Sequence, residues 1–346
     1  GMNLPPIEPF ATLPPDPLIA ALPKADIHLH QEWSPRLDRV LARRENRASY
    51  NWQVWARQLM AECPPGMERL QRLSKVFPAL KEADADPENF IARLEDLLSE
   101  AAADGAIFVE ARFGNDDALR PDLMALFREA ERRTQAKYPM LRAEAVHILI
   151  LSFEPELLER IFTACLGLTR EGLSGIDMLY TPYDAEADWM LAYQLAQRAT
   201  EAGLGITVHA GEFSTANIES ALRTPGLTRL GHATYAAQDE RLLDLVAKSG
   251  ATIECSLSCN VVLGAVPTYE GHPIRTFVAR GIPVALCTDN PVQMCTTIGR
   301  EYALAHALGF TSEDVLGFTR NAIQAAFTTP ARRAELLADL TPNPTL

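Results

Sequence analysis

Gly205-Ile206-Thr207-Val208-His209-Ala210-Gly211-Glu212 is the stretch on which the fold is read. Its first four residues form a short apolar, β-branched run, the pattern of a strand buried on both faces. The run stops on an imidazole, a glycine and a carboxylate. Taken alone, a histidine closing a strand is an ordinary structural residue, and Glu212 is equally suited to capping a following helix. The stretch gains weight because the same pattern recurs along the chain.

Strand-like segments occur at residues 25–30 (ADIHLH), 106–113 (AIFVEARF), 143–152 (AEAVHILILS), 175–179 (GIDML), 206–209 (ITVH), 230–233 (LGHA), 252–256 (TIECS) and 283–289 (PVALCTD). Amphipathic helical patterns separate the later ones, over 122–138, 155–165, 187–202, 239–249 and 273–280. Several of these stop at a glycine, as at Gly203, Gly250 and Gly281. Alternating strands and helices imply a parallel sheet. Eight such units in 346 residues favour a closed (β/α)₈ barrel, a TIM barrel, over an open doubly wound sheet. No G-x-G-x-x-G follows the first strand, which removes the usual dinucleotide reading. We expect a single domain over 1–346.

Residues 4–23 are proline-rich and irregular. Residues 34–100 are helical by pattern, broken at Pro64-Pro65-Gly66 and Pro78. That is far too long for a strand-to-helix connection, and predicts a helical insertion over one mouth of the barrel. With 47% hydrophobic residues the chain can bury a large core. A net charge of −13, a pI near 5.1 and no basic run argue against a nucleic-acid partner, but not against a nucleoside or base as substrate. The N-terminal residues show neither a basic nor an apolar signal-peptide region. No apolar run reaches the eighteen or so residues of a membrane helix. Six cysteines without a C-x-x-C pair read as reduced and core-filling, which suits a cytoplasmic protein. The oligomeric state is not encoded legibly.

In such a barrel, chemistry collects at the C-terminal strand ends. Four of the seven histidines stand there: His28 and His30 on the first strand, His209 on the fifth, His232 on the sixth. The eighth strand ends in Asp289-Asn290. Residues two apart on a strand face one way, so His28 and His30 project together, and the same alternation turns Asp289 inward with Ala285 and Cys287. Three imidazoles and a carboxylate form a ligand set for one divalent metal, zinc ahead of iron or manganese, with room for a water. Glu212 and His232 then remain as an acid–base pair beside that water. Their bland readings are a helix cap for Glu212 and a packed barrel residue for His232. His147, His272 and His306 read as structural or exposed. Glu110 and Arg112, two apart, suggest an internal ion pair with each other. Asp177 fits either a structural or a functional role.

The motifs Pro23-Lys24-Ala25-Asp26-Ile27-His28-Leu29-His30, Phe108-Val109-Glu110-Ala111-Arg112-Phe113, Thr207-Val208-His209-Ala210-Gly211-Glu212, Arg229-Leu230-Gly231-His232, Ser258-Cys259-Asn260-Val261-Val262-Leu263-Gly264 and Cys287-Thr288-Asp289-Asn290-Pro291 resemble those of the adenosine/adenine deaminase family of the amidohydrolase superfamily. The resemblance runs from residue 23 to about 300. It implies zinc on His28, His30, His209 and Asp289, with Glu212 protonating the purine ring nitrogen beside C6. His232 would take the proton of the metal-activated water, and Asp289 would orient the attacking oxygen. Attack at C6 then releases ammonia.

The chain also departs from the family pattern. Gln31-Glu32-Trp33 stands where adenosine deaminases have L-D-G, at a position that contacts the sugar; Glu32 is closer to the adenine deaminase branch. The family's D-L-x-G-x-E appears as Asp177-Met178-Leu179-Tyr180-Thr181, with Tyr180 expected to fill space left by the missing glycine. Asn290 replaces the second Asp of T-D-D-P, and its NH₂ can donate to a purine nitrogen. Glu32, Trp33, Tyr180, Gly211 and Asn290 are therefore the expected substrate-binding residues. The leading reading is a zinc-dependent deaminase of adenosine or adenine. The alternatives are deamination of another aminated heterocycle or modified nucleoside, and a catalytically silent metal-binding protein.

Overall fold

The predicted alternation resolves into eight parallel strands: β1 Lys24–His30, β2 Ala106–Phe113, β3 Arg142–Ile150, β4 Leu173–Leu179, β5 Gly205–Ala210, β6 Leu227–His232, β7 Thr252–Cys255 and β8 Val284–Leu286. The structure is a computed structural model that describes residues 6–74, 77–182 and 184–340; the signal-peptide reading of the first residues lies partly outside these. The strands pair in sequence order. The barrel closes where Leu29 bridges Asp289, with His30 N–H donating to Asp289 O and Asp289 N–H to His28 O, both at 2.9 Å. This is the (β/α)₈ barrel expected from sequence.

Strands covered on both faces read as continuous apolar runs, and all eight residues of β2 are buried. Outside them, helices such as Pro87–Ala103 and Glu240–Ser249 start on capping aspartates, Asp86 and Asp239, whose carboxylates accept from backbone N–H groups of the first turn. The second of these stops at Gly250, where φ is +71.

The regular ladder of β8 is shorter than the 283–289 run suggests. It ends at Leu286, and Asp289 has a left-handed backbone, φ +63. Its inward position therefore comes from the bridge to β1, not from strand alternation as the sequence reading assumed.

Charged side chains fill the middle of the barrel. Arg229 reaches Glu110 at 2.8 Å and Glu254 at 2.7 Å, while Arg112 reaches Glu254 and Asp177, both at 2.7 Å. The expected Glu110–Arg112 pair is thus corrected. Both side chains face the barrel interior, but the ion pairs they make run to residues on other strands. His147 is a hydrogen-bonded core residue: its Nδ1 contacts Ile148 O at 2.8 Å, and its Nε2 accepts from Ala118 N–H. His306 is half-exposed, 3.2 Å from Asp16.

The floor is closed by Phe327, over which the Arg229 guanidinium lies at 3.9 Å. Gly175 and Gly205, register partners on β4 and β5, leave room for that ring; a Cβ on either would meet its carbons at 2.3 and 2.2 Å. Gly175→Ala should lower stability by about 1–3 kcal/mol through overpacking. Urea unfolding should show an earlier midpoint at unchanged slope; an unmoved midpoint would mean the ring is not seated there.

Candidate metal centre and active site

The C-terminal ends of β1, β5 and β8 bring His28, His30, His209 and Asp289 together. Each offers a ligand atom, and these atoms all lie within 4.8 Å of one another. His28 Nε2 is 3.2 Å from His30 Nε2 and 3.2 Å from Asp289 Oδ1; His30 Nε2 is 2.8 Å from the same oxygen. Asp289 Oδ1 is buried, yet it has no hydrogen-bond partner among the described residues. An orphaned carboxylate oxygen amid imidazole nitrogens fits a cation, because every atom there offers a lone pair.

The opposite ring nitrogens support this. His28 Nδ1 is 2.9 Å from Glu254 Oε1, and His209 Nδ1 is 2.9 Å from Asp177 Oδ2. A carboxylate only accepts, so each Nδ1 carries the proton and each Nε2 keeps its lone pair for the centre. Burial alone would protonate these acids. Arg112 and Arg229 instead hold the Glu254 carboxyl well below the usual range, and His209 and Arg112 lower that of Asp177. Asp177, left open by sequence, thus stands behind His209 as the acceptor for its Nδ1–H.

Glu212 and His232 flank this cluster, both buried. His232 Nε2 lies 3.2 Å from Glu212 Oε2 and 3.5 Å from Asp289 Oδ2. Glu212 caps no helix: the next one, Ile218–Leu222, has Asn217 at its N-cap. Gly211 has φ +77, and a Cβ there would meet Ile218 at 2.7 Å. Its carbonyl accepts from Thr234 Oγ1 and Tyr235 N–H, so it shapes the turn that carries Glu212.

Above the cluster lies a cavity of about 470 Å³. Larger clefts of about 850 and 760 Å³ elsewhere contain none of these residues; chemistry, not volume, marks the site. Glu32, Trp33 and Asn290 line the cavity, together with Arg112, Ile148, Ile150 and Leu179. Leu70, Leu73 and Ser74 reach it from the helical 34–100 segment. The Glu32 carboxylate accepts from Val292 N–H at 3.0 Å and Gln293 N–H at 2.9 Å; burial pushes its pKa up to about 7.

Tyr180 is not where the sequence reading put it. It is absent from the cavity lining: its hydroxyl donates to Asp188 O, and its ring packs edge-on against Trp189. The reason is alternation, since Asp177 and Leu179 turn inward and the next residue turns away. Sequence reasoning also passed over Glu254. Its signal was available, as a carboxylate in the middle of an otherwise apolar buried strand.

Fold and site together put the chain among the amidohydrolase-type barrels. More narrowly, it belongs to the adenosine deaminase family, whose model matches residues 23–342. An adenine deaminase of Chelativorans sp. (strain BNC1) is 31% identical over 340 residues, covering 92% of this chain and 98% of that protein. Two solved structures share the fold. The apo N6-methyl-AMP deaminase of Arabidopsis thaliana has a TM-score of 0.73 at 19% identity, over 93% of this chain and 97% of that one. An amidohydrolase of Burkholderia ambifaria with bound Zn has a TM-score of 0.74 at 20% identity, over 94% and 91%.

If Asp177 orients a ligand, Asp177→Asn should weaken zinc binding about 10- to 100-fold while the barrel stays folded. His209→Ala should lose bound metal outright. Competition against a chromogenic chelator reads both, and wild-type affinity in Asp177→Asn would refute the orienting role.

Proposed function

We propose that this chain is a hydrolytic deaminase of a 6-aminopurine, adenine foremost, working with one zinc ion per chain on His28, His30, His209 and Asp289. The observation that carries the reading is the convergence of those four donors beside Glu212 and His232 at the mouth of the barrel. Family membership and the full-length likeness to an adenine deaminase support the reaction class. A zinc ion held by this set supplies a water whose pKa falls to about 7.

The remaining work belongs to side chains. Glu212 delivers a proton to the ring nitrogen beside C6. His232 and Asp289 Oδ2 flank the incoming oxygen. That oxygen adds to C6, and the two protons the water gives up end on the ring nitrogen, by way of Glu212, and on the amino group, so that the C6–N bond breaks and ammonia leaves. Ile148, Ile150 and Leu179 offer apolar walls to a planar ring, and the Asn290 NH₂ is a donor for a ring nitrogen that only accepts. Trp33 adds an aromatic edge to the same cavity.

Glu32 favours the free base over the nucleoside. Both its oxygens are engaged by backbone N–H groups of the loop after Asn290, which leaves them poorly disposed toward ribose hydroxyls. Gly211 contributes through the turn that holds Glu212. We assign residues 34–100 as a lid on a single-domain enzyme, on the strength of Leu70, Leu73 and Ser74 in the cavity wall. Six free cysteines, five of them buried, suit a reducing cytoplasm. No helix among the described residues is long and apolar enough to cross a membrane.

Ammonia release from adenine, adenosine and deoxyadenosine tests the substrate class. Adenine should give the highest kcat/KM, and silence on all three would sink the proposal. Glu212→Gln should keep its zinc while kcat falls about 10²- to 10⁴-fold; near-normal turnover would remove Glu212 as proton donor. Asn290→Ala should raise KM about fivefold at nearly constant kcat, the loss of one hydrogen bond of about 1 kcal/mol.

A further inference from the structure

His272 reads from sequence as structural, and it is buried 17 residues beyond Cys255 in the loop before the Ile274–Ala279 helix. Its contacts lead to the candidate site in two steps. The backbone N–H of Ile274 donates to His272 Nδ1 at 3.1 Å. A ring nitrogen that accepts carries no proton. Burial, reinforced by Arg275, pushes the His272 pKa down to about 3, so the ring is neutral and its proton sits on Nε2.

That Nε2–H is 3.0 Å from Asn260 Oδ1; the Cys255 sulfur, at 3.9 Å, is a weaker partner. The contact fixes the amide, with its oxygen toward His272 and its NH₂ toward His232. Asn260 Nδ2 lies 3.1 Å from His232 Nδ1. An NH₂ group only donates, so His232 Nδ1 accepts, and neutral His232 carries its proton on Nε2. That nitrogen faces Glu212 and Asp289. The polarity is the reverse of that behind His28 and His209, where carboxylates keep the proton on Nδ1 and free Nε2.

We propose that His272, acting through Asn260, is a positioning residue that keeps the His232 proton on Nε2, so that His232 presents a hydrogen-bond donor to the reacting oxygen. The proposal rests on the deaminase reading for what that oxygen is. It replaces the proton-accepting role that the family resemblance suggests for His232, because Nε2 has no lone pair in this tautomer. No second charge is needed, since the order is set by one backbone N–H three groups away.

Nitrogen-15 NMR of zinc-loaded protein labelled at histidine reads the tautomer directly, with the His232 signals identified by their loss in His232→Gln. The wild type should show a protonated Nε2 and a bare Nδ1. Asn260→Asp sets an acceptor against Nδ1 and should move the proton there, lowering kcat about 10- to 100-fold at nearly constant KM and zinc content. His272→Phe, which frees the amide to turn, should give both tautomers. A wild-type Nδ1–H, an Asn260→Asp protein that keeps Nε2–H, or a His272→Phe protein holding Nε2–H alone would each overturn the proposal. Should a variant fail to fold, the wild-type tautomer still decides. The resting protein is measured without turnover, so failure of the deaminase reading would leave this result intact.

Discussion

The Glu254 carboxylate is the point through which the barrel interior and the site are joined. It takes Arg229 and Arg112 from below, Thr207 from the side, and the Nδ1 of His28 above. Burial without those guanidiniums favours the protonated acid, and a protonated Glu254 could also donate its O–H to His28 Nδ1 and so would no longer fix the tautomer. The ion pairs that look like barrel packing therefore bear on whether His28 can serve as a ligand.

Buried ion pairs add little net stability by themselves, but taking away one member typically costs about 3–5 kcal/mol. In this barrel each charge has more than one partner: Arg112 serves Glu254 and Asp177, and Arg229 serves Glu254 and Glu110. Asp177 in turn holds His209. Two strands that are far apart in sequence, β4 and β7, thus set the orientation of ligands on β5 and β1. The ladder's closure at Leu29–Asp289 then supplies the fourth donor.

The sequence made legible whatever follows from period and position. Strand alternation put His28 and His30 on one face, strand ends named His209 and His232, and eight strand–helix units named the barrel. Long-range side-chain choices were not legible. Nothing local tells Arg112 to prefer Glu254 over Glu110, two residues away on its own strand. Asp289 faces the cluster for a reason other than strand alternation, since its backbone leaves the strand at Leu286 and is returned by a bridge from β1. Tyr180 is placed by parity and not by the missing glycine: Leu179 turns into the cavity and Tyr180 out of it.

The histidines of the site differ by what stands behind them. A carboxylate behind His28 and His209 makes each a lone-pair donor toward the centre, while an amide behind His232 makes it a hydrogen-bond donor. Identical side chains a few ångströms apart are thereby given opposite hydrogen-bonding polarity by second partners on β4, on β7 and in the short helix Leu257–Val262 after β7. The same logic extends to substrate choice. Glu32 stands at the cavity, but its oxygens are engaged by the loop that carries Asn290. What a residue can do for a ligand depends on which of its atoms the fold has already occupied: both Glu32 oxygens accept from backbone N–H groups, while the apolar walls of Ile148, Ile150 and Leu179 stay open to a planar ring.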